Sequence, residues 1–288
     1  MSVLYRHATG NYYVHHVRDN VPRIEDFPLQ VHDMHEFYYF ISGRGKFLIE
    51  SSTYQLFPGC IVLIRAGETH RLQINTDVPY ERIDIEFSPS LLADIDPQNA
   101  LLSAFTDRAA GQSNMYTPDM INVDLVRACM NTLSSQSRIA TENRRPLILM
   151  SCLSPVLLEI NRAFNDNKNK TPPQKEGVIT VVSQLMDYIN THLCEDFSLD
   201  DLSERFYFSK THLNNQFKQA TGATIGEYTI MKRLTLARQY IYDGMSVGSA
   251  AVASGWNDYS SFYRRYKARF GVSPIVDRPN KTVKLNQI

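Results

Sequence analysis

Polar side chains that could bind a small molecule or a metal ion recur at even-numbered positions early in the chain. Gln30, His32, Glu36 and Tyr38 lie an even number of residues apart. Side chains of a β-strand alternate between its two faces, so these four would share one face while His35 points to the other. Imidazole and carboxylate groups bind divalent cations, and the same groups beside aromatic rings suit a sugar or a related polyol or acid. Both hypotheses are open at this point.

Two helices near the C-terminal end each combine an apolar face with a hydrogen-bonding face. On the apolar faces, residues four apart would point inward, and these are Leu213 and Phe217, then Phe262 and Tyr266. The opposite faces carry Thr211, Asn214, Asn215 and Lys218 on the first helix and Tyr259, Ser260, Tyr263, Arg264 and Lys267 on the second. Asn favours adenine edges, Arg favours guanine, and Ser, Thr and Lys suit phosphates. We therefore predict that both faces contact DNA.

These helices belong to an internal repeat. The pattern around Leu213 recurs 49 residues later around Phe262. Each copy is predicted to contain a short helix, a turn and a longer helix, at residues 199–206 and 210–221, then 247–253 and 259–270. This is the layout of a helix-turn-helix unit, which places its second helix in the major groove. A central helix at residues 225–242 would hold the two units together.

Capping signals support these helix boundaries. Ser198 with Asp201, and Thr224 with Glu227, have the spacing of capping boxes at helix starts. Glycines occur where helices would need a left-handed residue after their last turn, at Gly222, Gly244, Gly255 and Gly271.

The rest of the chain divides around a polar, proline-containing segment at residues 165–177, which we predict to be a linker. Residues 31–87 contain short β-branched and aromatic runs separated by turns, typical of a barrel or sandwich. Residues 120–164 are predicted to be helical, with an apolar stripe at Leu149, Leu153, Val156, Ile160 and Phe164. This stripe could pack on its own domain, form a subunit interface, or do both. We expect domains at residues 1–164 and 178–288.

Composition agrees with two globular domains. The chain has 288 residues, 43% hydrophobic and 21% charged, with a formal net charge of zero. From Pro172 onward the sequence contains fourteen basic and eleven acidic residues. Between Arg264 and Lys284 it contains seven basic residues and a single acidic one, Asp277. Such a cluster can supply phosphate contacts.

The sequence also bears on location and redox state. Its first 20 residues are polar, without the apolar core of a signal peptide, and we find no uninterrupted apolar run of membrane-spanning length. We expect a cytoplasmic protein with no membrane partner. The four cysteines, which are far apart in sequence, are expected to be reduced thiols, and they are Cys60, Cys129, Cys152 and Cys194.

The C-terminal region resembles the DNA-binding domain of the AraC/XylS family of transcription regulators over about 100 residues. The matching positions are Tyr188, Ile189, His192, Phe197, Ser198, Leu199, Leu202, Ser209, His212, Leu213, Phe217, Lys218, Thr221, Gly222, Tyr228, Arg233, Leu234, Ala237, Arg238, Ser246, Val247, Ala251, Gly255, Asp258, Phe262, Arg264, Lys267, Phe270, Gly271, Ser273 and Pro274. Four positions depart from the family pattern. Asn215 replaces a frequent Arg and bears on DNA contact, whereas Ala250, Trp256 and Asp277 bear on packing.

The N-terminal region resembles the cupin-type sensor domain common in that family. The first cupin signature is matched by His32, Glu36 and Gly43, with Gln30 in place of its first histidine. The second signature, in which Arg65 replaces a proline, is matched by Gly59, Gly67 and His70. The resemblance implies a barrel whose lumen contains Gln30, His32, Glu36, Tyr38 and His70.

The predicted fold is therefore multidomain. An N-terminal β-barrel of the cupin type, a double-stranded β-helix, carries accessory helices, and an all-α C-terminal domain carries two helix-turn-helix units. The resemblance implies a regulator that is not an enzyme and needs no cofactor or metal. Its partners would be double-stranded DNA, a small effector such as a sugar, RNA polymerase and a second copy of the chain. The alternatives are a metal-dependent cupin enzyme fused to a DNA-binding domain, which Gln30 disfavours as a poor ligand, and a regulator without a small-molecule ligand.

Overall fold

The computed structural model describes residues 2–168 and 180–278. The chain forms two compact units, residues 1–183 and 184–288. Residues 169–177 of the predicted linker lie outside the described residues, as do the basic residues Lys281 and Lys284. Residues 165–168 continue a helix, so the start predicted for the linker was too early.

The described residues of the first unit form nine strands. They are β1 (Ser2–Ala8), β2 (Tyr12–Asp19), β3 (His35–Ser42), β4 (Gly45–Ile49), β5 (Ser52–Gln55), β6 (Ile61–Ile64), β7 (His70–Ile74), β8 (Tyr80–Phe87) and β9 (Met115–Tyr116). One sheet has the order β1-β2-β8-β3-β6-β9, the other has the order β5-β4-β7, and all the pairings are antiparallel. The predicted sheet-rich N-terminal domain is confirmed. The sequence interpretation began the β-structure at residue 31 and missed β1 and β2, whose polar residues obscured the alternation.

The six-stranded sheet has two different faces because successive side chains of a strand point to opposite sides. Ile83, Ile85 and Phe87 of β8 belong to an apolar core that also contains helical residues. The other face looks toward the three-stranded sheet, and an inner core that includes Phe40 and Val62 occupies part of that space. Polar residues on this same face form the cavity described below.

Three helices of the first unit cover the outer face of the large sheet. They are α1 (Ser103–Thr106), α2 (Val123–Ile139) and α3 (Arg145–Lys168), which contains Pro155. The predicted apolar stripe lies on α3 and is buried in the core between the helices and the sheet. Its residues are Leu149, Leu153, Val156, Ile160 and Phe164. This stripe therefore packs on its own domain. Of the alternatives that the sequence left open for this stripe, packing on its own domain is the one observed, and the dimer stays a prediction.

By length and composition alone, α3 could cross a membrane. Half of its apolar window is nevertheless buried within the structure. A core helix of a folded domain has the same properties, and the packing of α3 against the sheet accounts for its apolar composition.

The second unit is helical, and its helices agree with the predicted repeat. The chain forms α4 (Val181–Thr191), which begins just before the unit boundary, then α5 (Leu199–Phe206), α6 (Lys210–Thr221), α7 (Ile225–Tyr242), α8 (Val247–Ala253) and α9 (Tyr259–Phe270). The inward residues are fully buried, at Leu213, Phe217, Phe262 and Tyr266. Both predicted capping boxes are present, at the starts of α5 and α7.

The turns of the two helix-turn-helix units differ at one equivalent position. In the second unit Gly255 has φ +85°, a left-handed conformation that glycine adopts without strain. In the first unit this position is Tyr207, which has φ +58° and a 92% exposed side chain. A Cβ atom at Gly255 would lie 3.0 Å from the Cα atom of Cys194. The first turn is therefore strained, whereas the second turn has no room for a side chain.

We predict opposite effects for substitutions at these two positions. Tyr207→Gly should raise the free energy of unfolding by about 0.5–1 kcal/mol, because it relieves backbone strain and removes no buried contact. Gly255→Ala should lower it by about 2 kcal/mol, because it adds both strain and a backbone clash. Urea unfolding followed by fluorescence of Trp256, the single tryptophan, reports on this unit. A fall in stability with Tyr207→Gly would contradict the assignment of strain.

Candidate functional site

A cavity of about 250 Å³ lies on the polar face of the six-stranded sheet. Neighbouring strands supply its wall in register: Tyr13 opposes Glu86, which opposes Glu36, and His15 opposes Asp84, which opposes Tyr38. The lining residues are Tyr13, His15, Asp26, Phe27, Pro28, Gln30, Glu36, Tyr38, Phe47, His70, Leu72, Arg82, Asp84 and Glu86. The cavity therefore combines hydrogen-bonding groups with aromatic surface, as in many small-molecule sites.

Two histidines converge on one buried carboxylate at the cavity wall. The Nε2 atoms of His32 and His70 each lie 3.2 Å from Oε2 of Glu36. The Nδ1 atoms of the two histidines lie 2.9 Å and 3.1 Å from the backbone oxygens of Met34 and Glu68, respectively. The Glu36 carboxylate and both imidazoles are thus held in fixed orientations.

This arrangement shifts the acid–base properties of the cluster. Burial lowers the pKa of His32, but the hydrogen bond and the negative charge of Glu36 outweigh burial and raise it to about 9. Burial raises the pKa of Glu36, but the two neighbouring imidazoles outweigh burial and hold that pKa well below its usual range. Glu36 is therefore an anion in the folded protein.

A second polar network lies along β8. Arg82 donates hydrogen bonds to Oδ1 of Asp84 at 2.5 Å and to the hydroxyl of Tyr80 at 2.7 Å, and the hydroxyls of Tyr80 and Tyr38 are 2.5 Å apart. Burial raises the pKa of Asp84 to about 6, although the positive charge of Arg82 acts to lower it. Burial, reinforced by Arg82, lowers the pKa of His15 to about 4, so that His15 is neutral at pH 7.

The structure brings together the cavity residues that the sequence suggested. Gln30, Glu36, Tyr38 and His70 line the cavity, and His32 reaches it through Glu36. Gln30 and His70 are also joined by a β-bridge between their backbones.

The sequence interpretation assigned His35 to the opposite face, and His35 does pack in that direction, against Phe87 and Phe105. It missed the wall that β2 and β8 supply, at Tyr13, His15, Arg82, Asp84 and Glu86. The alternation of polar residues with Ile83 and Ile85 was the signal that could have found the β8 part of this wall.

In the second unit, the predicted DNA-contacting residues lie on open helix faces. All of them are exposed except Asn214, which is half-buried, and the exposed ones are Thr211, Asn215, Lys218, Tyr259, Ser260, Tyr263, Arg264 and Lys267. Within the described residues, no hydrogen bond or ion pair involves the guanidinium of Arg264 or the ammonium of Lys267. These two charges are therefore available to a partner.

Asn214 has a structural role that the sequence interpretation did not foresee. Its side-chain oxygen accepts a hydrogen bond at 3.0 Å from the backbone N–H of Ile225, at the start of α7. An asparagine that reads adenine needs this oxygen to accept from the base. This hydrogen bond ties the side-chain oxygen of Asn214 to the start of α7, whereas Asn215 is exposed. Base reading by Asn214 stays a prediction, and Asn215 is the residue that we propose below.

The two units differ in charge. On α9, Arg264, Arg265, Lys267 and Arg269 are all exposed. On α6 the basic residues are Lys218 and Lys210, and Lys210 forms an ion pair at 2.8 Å with a neighbouring acid, Asp200. The second unit therefore presents the stronger positive charge.

Asp277, a departure from the family pattern, joins the C-terminal segment to two helices. Its carboxylate accepts hydrogen bonds from Nε of Arg238 at 3.0 Å and from the hydroxyl of Tyr266 at 2.6 Å. Arg238 is on α7 and Tyr266 is on α9, so Asp277 links these two helices of the second unit.

Comparisons with known proteins agree with this geometry. Residues 22–121 match the AraC-like ligand binding domain family, and residues 202–279 match a helix-turn-helix domain family. The Msm operon regulatory protein of Streptococcus mutans is 20% identical over 262 residues, covering 90% of this chain and 89% of that protein. The transcriptional activator RhaS of Escherichia fergusonii is 24% identical over 268 residues, covering 90% of each.

Among solved structures, ToxT from Vibrio cholerae is 12% identical, with 92% of this chain and 96% of that chain covered. Its TM-score is 0.36, a global likeness too low to add to the assignment. The two domain matches and the nearly full-length relatives carry the conclusion. The chain belongs to the AraC family of transcription regulators, with a ligand-binding domain followed by a helix-turn-helix DNA-binding domain.

The different environments of Asn214 and Asn215 lead to a prediction about stability. Asn214→Ala should lower the free energy of unfolding by about 1 kcal/mol, because the Ile225 N–H loses its acceptor. Asn215→Ala, on the exposed face one residue away, is the matched control and should change stability by less than about 0.5 kcal/mol. Urea unfolding followed by Trp256 fluorescence measures both. Equal effects of the two substitutions would contradict the role assigned to Asn214.

Proposed function

We propose that a small polar molecule bound in the cavity of the first unit controls operator binding by the second unit. The observation that carries this proposal is a buried set of fixed polar groups beside aromatic rings, within the domain that matches the ligand-binding family. Glu36, His70, Gln30 and Tyr38 would bind the effector, and His32 would hold Glu36 in place.

The charges of the cavity narrow the class of effector. Four carboxylates line it, and three of them have a cationic partner: Asp26 pairs with Arg23, Asp84 with Arg82 and Glu36 with His32. The fourth, on Glu86, has none among the described residues. An acid would be repelled, whereas the hydroxyls of a polyol can donate hydrogen bonds to carboxylates. The volume of about 250 Å³ is slightly below the usual range of about 300–1,000 Å³ for ligand sites, which favours a small effector. We therefore propose a small polyhydroxylated effector such as a sugar, and we no longer favour a sugar acid.

On the DNA side, we propose that α6 and α9 enter successive major grooves. One chain would then contact two short boxes about one helical turn, roughly 10 base pairs, apart. The boxes would differ in sequence because the reading faces differ, with Asn215 on α6 and Arg264 on α9. Lys218 and Lys267 would contact phosphates, and Thr211, Tyr259, Ser260 and Tyr263 complete the two faces.

The remaining parts of the proposal concern partners and location. We propose a cytoplasmic, non-catalytic protein, with RNA polymerase as the partner through which activation would occur. We also propose a homodimer. Its support is the exposed side of α3, where Leu147 and Leu158 are 67% and 61% exposed and lie eleven residues, or about three turns, apart.

A thermal-shift screen of sugars and polyols, with a chelator present, tests the effector proposal. At one hundred times its Kd, an effector that binds only the folded protein should stabilise the ligand-binding unit by about 2.7 kcal/mol. Glu36→Ala should remove this stabilisation, because it deletes a buried acceptor on the cavity wall.

The control variant is Glu81→Gln. Glu81 lies on β8 but bonds to His16 and Arg18 instead of lining the cavity, so this variant should keep the effector response. Calorimetry should then show equal effector affinity for the wild type and Glu81→Gln. If Glu36→Ala also bound with wild-type affinity, the cavity would not be the effector site.

For DNA, Arg264→Ala should weaken operator binding by about 1–3 kcal/mol and relax preference mainly in one box, because it removes a base contact. Lys267→Ala, on the same helix, should weaken all sequences alike and reduce the salt dependence, as expected for a phosphate contact. Binding-site selection and fluorescence anisotropy at several salt concentrations measure both effects. An unchanged preference in both boxes for Arg264→Ala would remove α9 from base reading.

A further inference from the structure

Glu86 differs from the other carboxylates of the cavity wall in its surroundings. Asp26, Glu36 and Asp84 each pair with a positively charged side chain. Within the described part of the chain, no hydrogen bond or ion pair engages the carboxylate of Glu86, although it lines the same cavity. The wall therefore carries one negative charge that the described residues do not compensate.

Strand register places Glu86 in the middle of the polar wall. β8 lies between β2 and β3, and Glu86 opposes Tyr13 on one side and Glu36 on the other. Side chains in direct opposition on neighbouring strands are close enough to interact, and like charges there are destabilising. The two direct neighbours of Glu86 are a phenol and a second carboxylate, and neither carries a positive charge.

These surroundings disfavour the ionised form of Glu86. Burial raises the pKa of its carboxyl, the charge of His32 acts to lower that pKa, and the charge of Glu36 raises it again. The net effect is a raised pKa, so the positive charges nearby do not offset burial. A cation bound against Glu86 would stabilise its ionised form.

Two arginines near the wall are engaged elsewhere. Arg82 donates hydrogen bonds to Asp84 and to the hydroxyl of Tyr80. Arg6 is exposed, and its guanidinium lies 5.6 Å from the centre of the Tyr13 ring, outside the set of residues that line the cavity. Neither guanidinium forms an ion pair with Glu86, so the missing positive charge is one that a bound molecule can bring.

A primary ammonium group complements this part of the wall. It has three N–H donors and no acceptor, and an ionised carboxylate can only accept. Hydrogen bonds between two charged groups are about twice as strong as those between neutral groups. The rings of Phe27, Tyr38 and Phe47 line the same cavity and offer apolar surface to the carbon atoms of a small molecule.

We propose that the effector is an amino sugar or amino polyol whose ammonium group binds the carboxylate of Glu86. This inference rests on the proposed function, because it names the class of molecule that occupies the same cavity. Gln30, Glu36 and Tyr38 would bind the hydroxyl groups. Glu86 would distinguish the amine from a neutral sugar of the same shape.

The test compares amines with their neutral parents on the purified full-length chain at pH 7, by thermal shift and calorimetry. The pairs are glucosamine with glucose, galactosamine with galactose, and glucamine with sorbitol. At least one amine should bind about tenfold more tightly than its parent, because a charged hydrogen bond replaces a neutral one. Glu86→Gln keeps the shape of the side chain and removes its charge, so it should abolish this preference and leave the affinity for the neutral parent unchanged.

Glu81→Gln is the matched control, because it makes the same substitution on the opposite face of β8, where Glu81 bonds to His16 and Arg18. It should keep the preference for the amine. Equal affinities of amine and parent in the wild type, or an undiminished preference in Glu86→Gln, would overturn this inference and leave the proposed function standing. If no molecule of either series stabilises the wild type, the effector proposal fails and this inference fails with it.

The stability of the variant alone supplies a second measurement. Since glutamine carries no charge, Glu86→Gln without any added sugar should unfold at the wild-type temperature or above it. Circular dichroism during heating measures this. A clearly lower melting temperature would show that the Glu86 carboxylate already has a partner within the protein, and it would overturn the inference.

Discussion

Side chains of β2, β8 and β3 alternate between two environments, and the organisation of the first unit depends on this alternation. On one face, Ile83 and Ile85 pack into the apolar core beneath α2 and α3. On the other face, Arg82, Asp84 and Glu86 form the wall of the cavity. A shift in register of one residue would exchange the two sets, placing charges in the helical core and isoleucines in the cavity. The extensive core behind the sheet thus holds the polar wall in position.

Burial of so many charged groups requires specific partners, because an unpaired charge in an apolar environment is costly. Asp84 pairs with Arg82, and the two histidines orient the carboxylate of Glu36. Glu86 has no such partner within the described structure. The cavity residues therefore satisfy most of one another's charges, and Glu86 leaves a hydrogen-bond acceptor for the proposed polyhydroxylated effector.

In the second unit, the outward faces of α6 and α9 are exposed to solvent. Its helices are set by local signals, with the capping boxes at α5 and α7 and left-handed glycines after α6 and α9. The buried aromatic residues Phe217 and Tyr266 fix the inward faces. The hydrogen bonds at the helix ends and the apolar contacts of the inward faces do not use the outward side chains. Those on α9 therefore remain available to DNA.

The sequence by itself determined most of the second unit. The bounds of its five repeat and central helices follow from caps, glycines and four-residue apolar spacing, which are local features within a few residues of each other. The face containing Gln30, Glu36 and Tyr38 was also predictable, since strand alternation is local. The assignment to the AraC family rested on the same local patterns.

Only the tertiary structure decided how distant residues meet. It placed Glu86 opposite Glu36, brought β1 and β2 into the large sheet, turned Asn214 toward Ile225 and buried the stripe of α3. These outcomes depend on strand register and on packing between segments far apart in sequence. An apolar stripe can pack against several surfaces, and a polar side chain can bond to several groups. The assembled fold decides which of these contacts forms.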